Sequence, residues 1–196
     1  SVVRQSRGRK PVKQLSWPGW AANVFNVIGF QIVWLTCVWG AARGTWPIGL
    51  YAAIAFAIAY FWLSAQRRRD ALTLLIALPI GFLMDSLLAK SGLLEFAGAY
   101  PSAHWAPLWI MALWLGFAMT LNHSLQLIYQ NSRRTFLFGF FGGPLAYAIA
   151  SLRFDAMHLK TEPLIGLLAV ALVWGFGLTL IRELDFWLRA QRSSAT

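Results

Sequence analysis

The sequence predicts an all-α, polytopic transmembrane bundle of six spans with both termini on the cytoplasmic side. Three observations carry this reading: scarce charge, repeated long apolar runs, and basic residues gathered between the runs. Of 196 residues, 58% are hydrophobic and 12% charged, about half the charged share of an average soluble domain. The mean hydropathy is +0.56. Six runs approach the roughly 20 residues that cross a bilayer: residues 20–42, 46–65, 71–88, 108–129, 135–152 and 164–181. They bound a basic N-terminal tail over 1–19, a membrane domain over 20–181 and a basic C-terminal tail over 182–196.

Each run is expected to be a helix, because a lipid-exposed segment must satisfy its own backbone hydrogen bonds. None shows the alternation of a barrel strand. The basic start leads into the first run without a small-residue cleavage pattern, so that run is expected to be a span. Thirteen of the seventeen Lys and Arg residues fall on one side of the predicted topology. They are Arg4, Arg7, Arg9, Lys10, Lys13, Arg67, Arg68, Arg69, Arg133, Arg134, Arg182, Arg189 and Arg192. Arg43, Lys90, Arg153 and Lys160 occupy the other side. The bias places both termini inside. Trp17, Trp20, Trp46, Trp62, Trp105, Trp109 and Trp187 lie near predicted span ends, as in an aromatic belt. The charge of +10 is distributed over loops rather than along one face, so no nucleic-acid partner is expected. The N-terminal tail is expected near anionic headgroups.

Short loops predict antiparallel neighbours. Gly139 and Gly143 form a GxxxG contact face, with Ala55 and Ala59 as a weaker version. Gly142, Gly143 and Pro144 are expected to interrupt the fifth helix where neighbours cover it.

Polar residues inside the runs are the candidates for function. Counting about 1.5 Å of rise per residue, Asn23 and Asn26, the Asn122–His123–Ser124 run and the fifth-helix break share one layer near the cytoplasmic side. Thr120, His123 and Ser124 share one helix face, and Asn122, Gln126 and Tyr129 another. One face is expected to meet the first helix and the other the fifth. Interhelical hydrogen bonds are the plainest role for this cluster; a polar pocket with His123 as proton carrier or ligand contact is the functional alternative. Asp85 is the single carboxylate inside a predicted span. It lies roughly 12 Å from the level of His123, so the two are not expected to pair, and it is nearer the level of Gln31 and Trp34.

No metal site is expected. His104, Asp155, His158 and Glu162 read as solvated loop residues, since DAMH lacks the HExxH spacing of a zinc motif. Cys37 has no partner for a disulfide and reads as a small apolar residue. No GxSxG elbow, P-loop or cysteine cluster occurs, so the reading leans away from an enzyme. No cofactor is required by the pattern, although a lipid, a quinone or a single pigment ligated by His123 is compatible with it.

Three stretches carry a family likeness: NVFNVIGFQIVWLTCVWGAA, PLWIMALWLGFAMTLNHSLQLI and FGFFGGPLAYAIASLRFDAM. Their order resembles a family of bacterial inner-membrane proteins catalogued as domain of unknown function 2878, from about Asn23 to the sixth helix. Asn26, Gln31, Trp34, His123, Ser124, Gly143, Pro144 and Tyr147 match positions of its motif. The resemblance implies an inner-membrane protein and supplies no mechanism. Three functions remain open. The favoured one is an accessory or assembly subunit bound to membrane lipids and a larger membrane protein. The second is a lipid- or lipophile-binding transporter or membrane enzyme using the polar pocket. The third is a proton-coupled transporter using Asp85 and His123.

Overall fold

Helix is dictated by the apolar runs, and the longer helices pack around a short apolar one. The computed structural model describes residues 19–193. It consists of α1 (Gly19–Ala42), α2 (Pro47–Leu63), α3 (Arg67–Lys90), β1 (Leu94–Phe96), α4 (Leu108–Leu121), α5 (Gln126–Tyr129), α6 (Ser132–Phe154), β2 (Met157–Leu159) and α7 (Pro163–Ser193). The expectations for Trp17 and most of the basic tail lie outside the described residues.

Among the described residues four helices are long and apolar enough to cross a membrane: α1, α3, α6 and α7. Helices α2 and α4 are shorter, with 17 and 14 residues, or about 26 and 21 Å at the usual rise. Helix α4 lies in the middle, packed against α1, α2 and α3, while α7 bridges α3 and α6. Trp109, Ile110, Ala112, Trp114, Met119 and Leu121 of α4 are all buried. By contrast, α1 leaves Val24, Val27, Ile28, Ile32 and Leu35 on its outer face. That outward apolar face is what a helix bordering lipid presents.

Several particulars differ from the expectations. The fold contains one small antiparallel strand pair, with Leu94 opposite Leu159, Glu95 opposite His158 and Phe96 opposite Met157. Leu94, Phe96 and Met157 are buried, so the pair seals one end of the bundle with apolar side chains. The fourth run is not one helix: α4 ends at Leu121 and α5 resumes at Gln126. The fifth run is unbroken, for α6 continues through Pro144. The sixth helix extends beyond residue 181 to Ser193. Trp109 is fully buried and donates to the Ala97 carbonyl at 2.9 Å, which removes it from any belt; Trp20, Trp62 and Trp187 are exposed. Ala55 is exposed, and Ala53, Phe56, Ala57 and Tyr60 form the buried face of α2 instead.

The Gly139–Gly143 face does meet a neighbour. A Cβ at Gly139 would lie 2.5 Å from the Trp174 carbonyl oxygen, and one at Gly143 would lie 2.6 Å from the Trp174 ring. The absence of side chains there lets α6 approach α7 closely. Gly142 has nothing nearer than Phe138 at 3.9 Å. Gly139→Ala is therefore expected to destabilise the protein by about 1–3 kcal/mol through overpacking against backbone. Gly142→Ala should be neutral or stabilising by about 0.5–1 kcal/mol, since Ala is the better helix former. Unfolding midpoints of both variants in the same detergent check the contrast.

At the strand pair, Lys160 forms an ion pair with Glu95. Its hydrogen bond and charge hold the Glu95 carboxyl below its ordinary pKa. A depressed carboxylate adds stability above its unfolded pKa and loses it as the pH falls through the folded value. At this exposed position the gain is small. Lys160→Ala should return the Glu95 titration upward to the ordinary carboxylate range, read by NMR of the side-chain carboxyl.

Candidate functional site

Two polar centres stand on α3, and they differ in how their charge is compensated. Asp70 and Asp85 are fifteen residues apart, about 22 Å along the helix. Both are buried.

The first centre forms where α4 stops. Ending a helix releases backbone carbonyls that need partners. The Met119 carbonyl accepts from Asn26 Nδ2 at 3.0 Å, and the Thr120 carbonyl accepts from the amides of His123 and Leu125, both at 3.0 Å. Asn26 Oδ1 in turn accepts from Ser124 Oγ at 2.5 Å. The turn aims Asn122 and His123 at the start of α3. Asp70 Oδ1 receives Asn122 Nδ2 at 3.1 Å and lies 3.0 Å from His123 Nε2. Asp70 Oδ2 accepts from Ser64 Oγ at 2.5 Å. The Tyr60 ring meets the imidazole edge-on, with centroids 4.7 Å apart.

Helix α7 completes this centre. Thr73 Oγ1 accepts from Asn122 Nδ2 and from Arg189 Nη2, each at 2.8 Å. It lies 2.9 Å from Asp185 Oδ2, to which it can donate. Arg189 also donates to Asn122 Oδ1 at 3.0 Å and pairs with Asp185 one turn earlier on the same helix. Tyr129 donates to Asp185 at 3.1 Å. Asp185 Oδ1 and Arg189 Nε are buried without hydrogen-bond partners, so the pair is joined at one oxygen rather than as a fork. Two carboxylates, one guanidinium and one imidazole thus tie together α3, α4, α5 and α7.

The second centre is a cavity of about 260 Å³ between α1, α4 and α6, with α3 and α7 behind it. Asp85 forms part of its wall. Its carboxylate accepts from Trp114 Nε1 at 2.6 Å and from the Tyr147 hydroxyl. Gly81, one turn before Asp85, makes room for the indole: a Cβ there would lie 2.2 Å from the Trp114 ring. Trp114 stacks on Trp174 at 4.8 Å, and Tyr147 meets Trp174 edge-on at 5.9 Å. The Trp174 ring sits in the space left by Gly143. Gln31, Leu145 and Ile149 line the cavity and are exposed. Its mouth therefore faces sideways between α1 and α6.

The expected cluster is partly assembled. Asn26 bonds Ser124, and Asn122 and His123 both face Asp70. Asn23 is exposed and lies outside it. Gln31 is also exposed, at the cavity mouth. Gln126 is half-buried, and no side-chain hydrogen bond joins it to the cluster. Asn122 faces α3 and α7 rather than the fifth run, and the Gly142–Gly143–Pro144 segment belongs to the cavity side. Asp85 does not pair with His123, in keeping with their different levels. It is not alone, however, because Asp70 and Asp185 lie inside helices that outlast the apolar runs. Residues 182–196 were expected as a tail, yet Arg182 also caps α5, donating to the carbonyls of Tyr129 and Gln130 at 3.1 and 2.8 Å. A detectable signal existed: Asp185 and Arg189 are spaced i, i+4 around an apolar FWL segment, which makes a buried pair on one face. Among the described residues no group of three or more His, Cys, Asp or Glu could hold a metal. Cys37 is buried.

The family model described as Protein of unknown function (DUF2878) matches residues 23–180. The chain belongs to this family. No curated protein and no solved structure matches it. The family match spans both centres but stops before Asp185 and Arg189, so the α7 half of the first centre lies beyond the matched segment.

Breaking the Arg189–Asp185 pair from one side leaves a buried, uncompensated carboxylate. Arg189→Met is expected to destabilise the protein by about 3–5 kcal/mol. Asp185→Asn combined with Arg189→Met should recover a large part of that loss. Chemical unfolding of the two single variants and the double variant gives the coupling directly.

Proposed function

We propose that this membrane protein binds a lipophilic small molecule inside its bundle, reached sideways from the bilayer. The observation that carries the reading is the aromatic cavity beside Asp85. Ligand sites are concave and mostly apolar, with a few convergent polar groups. This cavity fits that description: Phe30, Trp34, Phe117 and Phe138 supply rings, while Asp85 and Tyr147 supply the polar contacts. Trp174, also on the wall, meets Tyr147 edge-on at 5.9 Å. The lateral mouth suits a molecule already dissolved in lipid.

In this reading the chain has six membrane-crossing segments and lies in the bacterial inner membrane with both termini cytoplasmic. The 17 residues of α2 meet the lower limit of about 17 for a spanning helix. Helix α4, its turn and α5 together supply the fourth crossing. The basic residues Arg67, Arg68, Arg69, Arg133 and Arg134 mark the cytoplasmic ends. The Asp70 centre then holds the cytoplasmic ends together and is structural. The buried face of α3 between Asp70 and Asp85 carries Ile76, Ala77 and Gly81, an apolar separation that favours binding over proton relay.

Native mass spectrometry of the protein extracted gently from its own membrane tests the reading. The expected result is a chain that retains a defined lipophilic molecule, lost on Tyr147→Phe or on filling the cavity by Gly142→Leu. A stoichiometric partner polypeptide and no retained molecule would replace it with the accessory-subunit reading.

A further inference from the structure

The three buried carboxylates of the described residues are not equivalent. Asp70 faces His123 at 3.0 Å. Asp185 faces Arg189. Asp85 is 0% exposed and has no cationic partner among the described residues. Its two contacts, Trp114 and Tyr147, are neutral donors. Among the described residues no Lys, Arg or His lines its cavity. An isolated carboxylate in an apolar site is among the costliest groups to bury, and a countercharge is what offsets it.

The surroundings select the kind of countercharge. Rings dominate the cavity, and the face of an aromatic ring attracts a cation, most strongly for Trp. Trp34, Phe117 and Trp174 present rings to the same space as Asp85. A metal ion is poorly served there, because a hard cation needs several oxygen ligands. An ammonium group with apolar substituents matches both features: its charge meets the carboxylate and its carbons meet the rings. The volume of about 260 Å³ falls just below the range of about 300–1,000 Å³ for drug-sized ligands, which sets a small occupant.

We infer that the cavity between α1, α4 and α6 takes a lipophilic organic cation, a protonated amine or quaternary ammonium, with Asp85 as its counterion. The inference rests on the lipophile-binding reading and names its ligand class. An ammonium group could come from a free amphiphilic amine or from a phospholipid headgroup. The mouth residues Gln31 and Leu145 lie about 16 and 13 Å from the nearer ends of α1 and α6. That is acyl-chain depth, below the level of headgroups, and it points to the free amine.

The test compares benzyltrimethylammonium with neopentylbenzene, which has the same shape but carries carbon in place of the charged nitrogen. Both are titrated into the full chain in nanodiscs of phosphatidylglycerol, with tryptophan fluorescence as readout and membrane partitioning subtracted using empty discs. The cation should bind at least about tenfold more tightly. Asp85→Asn should abolish that preference while neopentylbenzene still binds. Trp34→Leu leaves the carboxylate and its two donors untouched and should weaken the cation by about fivefold or more, with neopentylbenzene little changed. Equal binding of the two probes, or an unaltered preference in Asp85→Asn, would overturn the cation inference and leave the lipophile reading standing. Binding of neither probe to the wild-type chain would remove both. Repeating the titration in phosphatidylcholine discs separates the sources: unchanged affinity supports a free amine, and competition by the lipid supports a headgroup ammonium.

Discussion

The stop in α4 after Leu121 is the constraint on which much of the remaining structure depends. Inside an apolar environment a helix cannot end without leaving backbone groups that must find partners in the protein. The chain meets this need with a tight turn and with Asn26 from α1, whose amide nitrogen takes the Met119 carbonyl. The same turn points Asn122 and His123 away from α1 toward Asp70. One interruption therefore fixes the register of α4 against α1 and α3 together. Thr73 and Arg189 pass the connection to α7. The polar residues are arranged by the backbone's requirement first and by their own chemistry second.

The two centres on α3 show two ways of holding a carboxylate out of water. At Asp70 the charge is surrounded by donors from Ser64, Asn122 and His123. At Asp85 the donors are fewer and uncharged, and open space adjoins the group. Packing around the second centre depends on glycines that admit large rings: Gly81 beneath Trp114 and Gly143 beneath Trp174. The aromatic wall is thus a product of close helix approach. A Cβ at either position would overlap the ring that packs there.

The legible part of this protein was whatever hydropathy and residue cost can report. Apolar runs located the helices, and the expense of Asn122, His123, Ser124 and Asn26 marked them as a group. Their common layer followed from rise per residue alone. What escaped were the residues at the margins. Asp70 follows Arg67, Arg68 and Arg69, so a hydropathy boundary falls just after it, yet the helix has already begun at Arg67. Asp185 and Arg189 lie past the apolar run although α7 continues to Ser193. Charge ends an apolar run without ending a helix, and a buried pair at i, i+4 looks like solvated tail. The interruption moved for a related reason. A GGP sequence suggests a break, but α6 absorbs Pro144 within a continuous helix, while α4 is turned aside by side chains that have better partners outside it. The cavity had no linear signature, because its wall comes from five helices.

The placement of both carboxylates on α3 also sets an order for biogenesis. The chain is made from the N-terminus, so α3 is complete before most of the groups that neutralise or solvate its acids exist. An aspartate at the centre of an inserting helix costs about 2.5–3.5 kcal/mol, an upper bound for Asp70 and Asp85, which lie toward the two ends of α3. The strong apolar content of α3, with a mean hydropathy of 2.0 over its best window, offsets that cost at the translocon. Ser64 precedes Asp70 and is present from the outset. Asn122, His123 and Trp114 arrive only with the next hairpin, and Tyr147 later still. Helix α7 carries Arg189 beside Asp185 and brings its own compensation. Most of the partners that hold the two acids of the third helix are therefore synthesised after it.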